Sequence, residues 1–290
     1  MIYRENKTKR QSSCSKVDGS KTEIESFQQT VGQTSQSLLM LDFDGTLAPF
    51  QKDRMTAFPY PGITSLLQEI RAAGKTRIAI VSGRDATEII SLLAIDPHLE
   101  VWGCHGLQRV KVDGSVTVAP LDESTLKGLL VAEEWLVSQR LQHAAEFKTG
   151  SIAVHWRGLS RSESEDIHRR VMQGWTGIAK HYGVNLLHFD GGVEIRSTKA
   201  NKGIAVRTLL GEMKSPVPAA YLGDDTTDEE AFATINGSGL SILVRPEWRP
   251  TAARLWLRPP GEVLDFLTRW LEVCLGPDET SDETSPEMNA

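Results

Sequence analysis

Between residues 37 and 275 the chain alternates dense apolar runs with stretches of helical periodicity. LLMLDF at 38–43 reads as a buried strand. Beyond a loop holding Pro49, Pro59 and Pro61, ITSLLQEIRAAG places Ile63, Leu66, Leu67 and Ile70 at helical spacing, and Gly74 ends the helix. RIAIVSGR at 77–84 predicts a second strand, Ile89, Ile90 and Leu93 a second helix, and VWGCHG at 101–106 a third strand. Apolar runs without strict alternation, separated by helices, predict a parallel sheet covered on both faces.

The pattern changes near Pro120. Residues 121–143 read as an amphipathic helix, SIAVHWRG at 151–158 as an exposed strand, 160–182 as a further helix, and NLLHFDGGVEIR at 185–196 as a hairpin turning at Asp190, Gly191 and Gly192. This predicts a small α+β insert. Parallel-sheet grammar resumes with a helix over 202–213, the strand AAYLGDD, a helix through Phe232, the strand LSILVR and a last helix over 261–273. The expected organisation is an unstructured N-terminal extension over 1–36, a first core part over 37–118, an inserted cap over 119–197, a second core part over 198–275, and an unstructured acidic tail over 276–290. No internal repeat is visible.

Composition narrows the partners. The 290 residues carry a formal net charge of −6, which gives no reason to expect nucleic acid or an anionic membrane, though a local basic pocket can still take an anionic substrate. Cys14, Cys104 and Cys274 lie far apart without a CxxC pair, so they predict free thiols in a reducing compartment. No apolar run reaches the roughly 20 residues that span a bilayer. The expectation is a cytoplasmic protein, and a monomer.

Three predicted strands end in polar residues, at Asp42, Ser82 and Asp224. In a parallel α/β sheet such ends face one crevice beyond the carboxyl edge, so Asp42, Asp44, Ser82, Asp224 and Asp225 are expected to converge there. Four carboxylates in one crevice call for a divalent cation, and oxygen-only ligands suit Mg²⁺. One aspartate can attack a phosphoryl group, and a second, two residues later, can protonate the leaving oxygen and then deprotonate water. Ser82, Lys202 and backbone N–H groups around Gly45 and Thr46 would supply donors to the transferring group.

DFDGTL at 42–47, VSGR at 81–84, NKG at 201–203 and GDDTTDE at 223–229 resemble the four motifs of the haloacid dehalogenase superfamily, in order. That resemblance implies a Rossmann-like core with an inserted cap. It assigns Asp42 as nucleophile, Asp44 as general acid and base, and Thr46, Ser82, Gly83 and Lys202 as phosphate binders. It also implies Mg²⁺ held by Asp42, the Asp44 carbonyl and Asp224, with Asp225 and Asp228 in support.

GCHG at 103–106, FKTGSIAVHWRG at 147–158, VEIR at 193–196 and GDDTTDEEAF at 223–232 are similar to the trehalose-phosphatase family over about 38–270. Members read an AxHYR-like strand and VEIRP-x-G-x-x-KG; here Trp156 follows His155, Ser197 stands where Pro is usual, and Lys199 where Gly is common. The resemblance implies trehalose 6-phosphate as substrate, a trehalose-6-phosphate synthase as partner, and Arg84, His105, Lys148, His155, Arg157, Glu194 and Arg196 on the substrate side. Two alternatives stay open: the same chemistry on another sugar phosphate, such as sucrose phosphate or glucosyl phosphoglycerate, and a catalytically silent sugar-phosphate sensor.

Overall fold

The computed structural model describes residues 21–51, 53–189 and 191–276. Its main sheet has eight strands in the order β12-β11-β10-β1-β2-β3-β4-β5. The strands are β1 (Ser37–Leu41), β2 (Thr76–Val81), β3 (Glu100–Gly103), β4 (Gln108–Val110), β5 (Val116–Val118), β10 (Ala219–Gly223), β11 (Leu240–Val244) and β12 (Leu255–Leu257). From β12 to β3 every pairing is parallel. β4 and β5 extend the edge as an antiparallel meander that the apolar pattern did not announce, because β5 is exposed along its length and carries no buried run.

Alternation sorts the central strands between two cores. Leu39 and Leu41 of β1 pack with Ile78 and Ile80 of β2 under α2 (Ile63–Ala72), α3 (Ala86–Leu93) and α8 (Gly261–Leu275). Leu38 and Met40, with Ala79 and Val81, face α6 (Lys202–Glu212) and α7 (Glu229–Ile235). The chain leaves β1 toward β2 and β3, then returns on its other side as β10, so the topological switch lies beside β1.

Within the extension expected to be unstructured, residues 21–32 form helix α1. Ile24, Phe27 and Val31 recur at helical spacing and pack into the α8 side of the core, with the Phe27 and Trp270 rings 6.0 Å apart and Gln28 donating to the Phe266 carbonyl at 2.9 Å. The polar composition hid this stripe, since three well-placed apolar side chains suffice to dock a helix on an existing core. Residues 1–20 and the tail from 277 lie outside the described residues, as do Cys14 and Asp190.

The insert forms a four-stranded antiparallel sheet, β6-β7-β9-β8, from β6 (Ala145–Lys148), β7 (Ser151–His155), β8 (Asn185–Phe189) and β9 (Gly192–Arg196). α4 (Glu123–Ser138) and α5 (Arg161–Tyr182) bury Ala132, Leu136, Val171 and Trp175 against Ile152, Val154, Val193 and Ile195. α5 starts in a capping box, in which Ser160 and Glu163 satisfy each other's backbone N–H groups, and stops at Gly183 in the left-handed region. SIAVHWRG was expected to be exposed, but β7 is an inner strand flanked by β6 and β9, so Ser151 to Val154 are buried. α4 ends at Ser138, short of the expected 143, where the chain turns back into β6.

Candidate active site

β10, β1 and β2 lie side by side in parallel, so their carboxyl ends open at one edge. Asp42 follows β1 directly and donates its backbone N–H to the Leu222 carbonyl at 2.8 Å, which holds it beside the end of β10. Asp224 follows β10 after Gly223, and Ser82 follows β2. Lys202 opens α6 and reaches back so that Nζ lies 2.6 Å from Asp42 Oδ1 and 2.7 Å from Asp228 Oδ1. Gly45 turns the loop after β1 with φ near 80°; a Cβ there would come within 2.2 Å of Asp224 Oδ2. Only glycine lets that loop close onto the second carboxylate.

The charges here are unbalanced. Asp42, Asp224 and Asp228 are buried with oxygens within 4.8 Å of one another, and among the described residues the one ammonium between them is Lys202. Burial pushes Asp42 up to about 7, against the pull of Lys202 and with Asp228 and Asp44 adding to the rise. Burial, then the charges of Asp42, Asp228 and Asp225, hold Asp224 well above the usual carboxylate range. Burial alone would lower the Lys202 ammonium, but Asp228 and Asp42 outweigh it and hold it above its ordinary value.

Asp228 has its own partners. Tyr221 Oη donates to Oδ1 at 2.5 Å, and the Asp224 and Asp225 backbone N–H groups reach Oδ2 at 3.2 and 3.1 Å. Asp42 and Asp224 are left as a pair of hard oxygen donors lacking enough positive charge, the donor set that suits Mg²⁺. Asp225 caps the turn Thr226–Asp228 and sits at the same wall.

A protonated carboxyl cannot ligate a cation, so a divalent cation such as Mg²⁺ would compete with protons for Asp42 and Asp224. Asp42 titrates higher folded (about 7) than unfolded (about 3.9), so the metal-free fold loses stability as pH rises between those values. Saturating Mg²⁺ should therefore raise the Tm by about 5 °C or more at pH 8, and the gain should fade as pH drops below 7. Melts with Mg²⁺ and with chelator at pH 8 and 5.5 check this; a Tm indifferent to Mg²⁺ at pH 8 refutes the metal assignment.

Asp44 is gripped from the core. Arg84 Nε and Nη2 each donate at 2.6 Å to one of its carboxylate oxygens, a bidentate pair that takes one lone pair from each and fixes the plane of the group. Arg84, expected to face substrate, lines the crevice and pairs its fork with Asp44. Ser82 Oγ accepts from the Arg84 N–H at 3.1 Å, which leaves its O–H to donate into the crevice. Gly83 has a steric reason: a Cβ there would meet the His105 ring at 2.6 Å.

The insert roofs the crevice. Glu194 of β9 accepts from Lys148 Nζ and Ser151 Oγ, each at 2.8 Å on Oε1, and its Oε2 lies 3.0 Å from His105 Nε2 across the gap to the core. Burial would raise Glu194, but the Lys148 ammonium holds it well below the usual range. Burial lowers His105 to about 4, so the ring is neutral near pH 7 and donates through Nε2, leaving Nδ1 as an acceptor without a partner among the described residues. The Arg157 guanidinium stacks 4.2 Å from the Phe50 ring centroid, a second bridge between insert and core.

Asp42, Asp44, Ser82, Gly83, Arg84, His105, Lys148, His155, Arg157, Glu194, Lys202, Asp224 and Asp225 all line one crevice of about 570 Å³. Two expected residues do not. Thr46 is fully buried behind Asp42, its hydroxyl 3.4 Å from Asp42 Oδ2, and its N–H turns to the Phe43 carbonyl while Gly45 N–H goes to Ala48. The loop donors expected for an anion are spent inside the turn. Arg196 shares a face with Glu194, but β9 has run past the crevice by then, and its buried guanidinium pairs with Glu230 at 3.0 Å. Sequence reasoning missed Phe50, Arg54, Glu146 and Tyr221; only Glu146, two residues from Lys148 on one strand, carried a signal, that of a shared face.

The family model described as trehalose-phosphatase matches residues 40–257. The chain is 27% identical over 245 residues to a trehalose-phosphate phosphatase of Mycobacterium marinum, and 28% identical over 251 residues to one of Mycobacterium tuberculosis. These alignments cover 80% and 81% of this chain and only 60% and 61% of the relatives' own length. Among solved structures, the C-terminal domain of a Candida albicans trehalose-6-phosphate phosphatase superposes with a TM-score of 0.75 at 21% identity, over 86% of this chain and 96% of that one. A haloacid dehalogenase-like hydrolase from Bacteroides thetaiotaomicron superposes at 0.57 with 13% identity, over 81% and 99%. The fold is thus the Rossmann-like haloacid dehalogenase core with a helix-covered insert.

Proposed function

The chain belongs to the trehalose-phosphatase family, and from that premise we propose that it is a Mg²⁺-dependent phosphatase that converts trehalose 6-phosphate to trehalose and phosphate. The observation that carries this reading is Asp42, buried between Lys202 and Asp224 on the floor of a crevice whose roof is polar and belongs to the insert.

Asp42 Oδ attacks phosphorus while the bond from phosphorus to the sugar oxygen breaks. Asp44 delivers a proton to that departing oxygen, and an aspartyl phosphate is left on Asp42. Asp44 then takes a proton from a water whose oxygen attacks the phosphorus, and phosphate leaves with Asp42 restored. Lys202 and the Ser82 hydroxyl donate to the phosphoryl oxygens as charge spreads over them. Mg²⁺, held by Asp42 and Asp224, would neutralise charge on the phosphoryl group. Lys148 and Arg157 meet the sugar hydroxyls, and the insert keeps bulk water out during transfer.

Among the described residues no helix is long and apolar enough to cross a membrane, and the thiols of Cys104 and Cys274 are buried and free. We read the chain as a cytoplasmic enzyme, acting as a monomer on substrate supplied by a trehalose-6-phosphate synthase. The test is phosphate release from trehalose 6-phosphate beside glucose 6-phosphate, sucrose 6-phosphate and glucosyl phosphoglycerate, with Mg²⁺ and with chelator. Selective, chelator-sensitive release from trehalose 6-phosphate is expected. Preference for another sugar would keep the mechanism and replace the substrate, and tight binding without turnover would replace the enzyme with a sensor.

A further inference from the structure

Arg54, in the short turn Arg54–Thr56 after β1, joins the insert to two core groups, Glu88 and Arg84, that lie 3.8 Å apart. Its guanidinium forms ion pairs with Glu146 of the insert and with Glu88 of α3 in the core. Its backbone carbonyl accepts from Arg84 Nη1 at 2.7 Å. Arg84 Nε and Nη2 in turn donate to the Asp44 carboxylate, at 2.6 Å each. A continuous path of contacts thus runs from the insert, through Glu146 and Arg54, to Arg84 and the Asp44 carboxylate. His155 braces the insert end, with Nε2 2.8 Å from Glu146 Oε2.

We propose that Arg54 is a positioning residue that couples the seating of the insert on the core to the orientation of Asp44. The inference rests on the phosphatase reading and deepens it. With the insert seated, Glu146 and Glu88 hold the Arg54 side chain from two sides, so the turn is pinned and its carbonyl stays under Arg84. When the insert lifts, Glu146 leaves, the turn loses one of its two anchors, and Arg84 loses the fixed acceptor that aims its fork. Asp44 is then presented for proton transfer only when the crevice is closed over a substrate. This order protects the aspartyl phosphate from premature attack by bulk water and confines the proton to the bound sugar.

The test uses the full chain with Arg54→Ala, Arg54→Lys and Glu146→Gln, on trehalose 6-phosphate and on p-nitrophenyl phosphate. Arg54 is partly exposed, so its ion pairs add little stability and the variants should melt within a few degrees of the unsubstituted chain. With Arg54→Ala, kcat on the sugar phosphate should fall on the order of 10- to 100-fold with KM little changed, because misplacing a reacting group costs rate more than binding. The nitrophenolate leaving group departs without a proton, so phosphorylation of Asp42 is spared while hydrolysis of the aspartyl phosphate slows. That variant should therefore show a burst of nitrophenolate, larger relative to the steady rate than the unsubstituted chain shows. Arg54→Lys, which keeps a cation for Glu146, should recover most of the rate, and Glu146→Gln should act in the same direction as Arg54→Ala.

Unchanged kcat, or a rise in KM alone without the altered burst, overturns the coupling. Should trehalose 6-phosphate not be turned over by the unsubstituted chain, the substrate reading fails and the p-nitrophenyl phosphate burst still decides the coupling. No turnover of either compound overturns both.

Discussion

Asp42→Asn is expected to lower phosphate release by on the order of 10³-fold or more, about 4 kcal/mol of transition-state stabilisation, with the fold intact. The amide keeps the size of the carboxyl and can still accept from Lys202, now at 2.6 Å from Oδ1, but it cannot form the aspartyl phosphate. Burial raises Asp42 to about 7, so above that pH the metal-free fold carries Asp42 ionised at a cost in stability. A neutral isostere removes the penalty. The variant in chelator should accordingly melt no lower than the unsubstituted chain at pH 8, while the Tm gain from Mg²⁺ shrinks or disappears. Turnover and melts on one preparation separate these outcomes: near-normal release would remove Asp42 from the chemistry, and a large loss of Tm would make it a structural residue.

Lys202→Met should damage both stability and rate. Among the described residues the ammonium is the one cation paired with Asp42 and Asp228, both buried, and removing one partner of a buried charge pair costs about 3–5 kcal/mol. The Tm should fall by roughly 10 °C at pH 8 in chelator. The carboxylates left behind would take up protons more readily, so the deficit should narrow as pH falls. Adding Asp228→Asn removes one of the stranded charges and should restore part of the Tm. It should not restore turnover, expected to be down on the order of 10²-fold or more, because the donor to the phosphoryl group is still missing. Recovery of rate together with Tm would assign Lys202 to the fold alone.

Much of the site is legible along the chain because a parallel sheet turns sequence order into spatial order. Once LLMLD, RIAIVS and AAYLGD are read as strands, their polar ends must meet at one edge, and Asp42, Ser82 and Asp224 do so. Lys202 was nameable only through its motif. Nothing local says that its side chain turns back from the first turn of α6 to lie between Asp42 and Asp228. Thr46 shows the converse: its motif position is right, yet closing the loop around Phe43 consumes the N–H that an anion was expected to take.

What the sequence determined by itself is what short-range periodicity and motif spacing encode: the central parallel strands and the helices between them, the place of the insert, and the carboxylates at the strand ends. Only the tertiary structure decided that α1 docks on α8, that Arg84 grips Asp44, that Arg196 falls beyond the crevice, and that Arg54 joins the insert to the core. Each of these is a pairing between charged or apolar groups far apart in the chain. Its partner is selected by which surfaces burial brings together, and the cost of leaving a buried charge unanswered, which no local pattern records, decides the match.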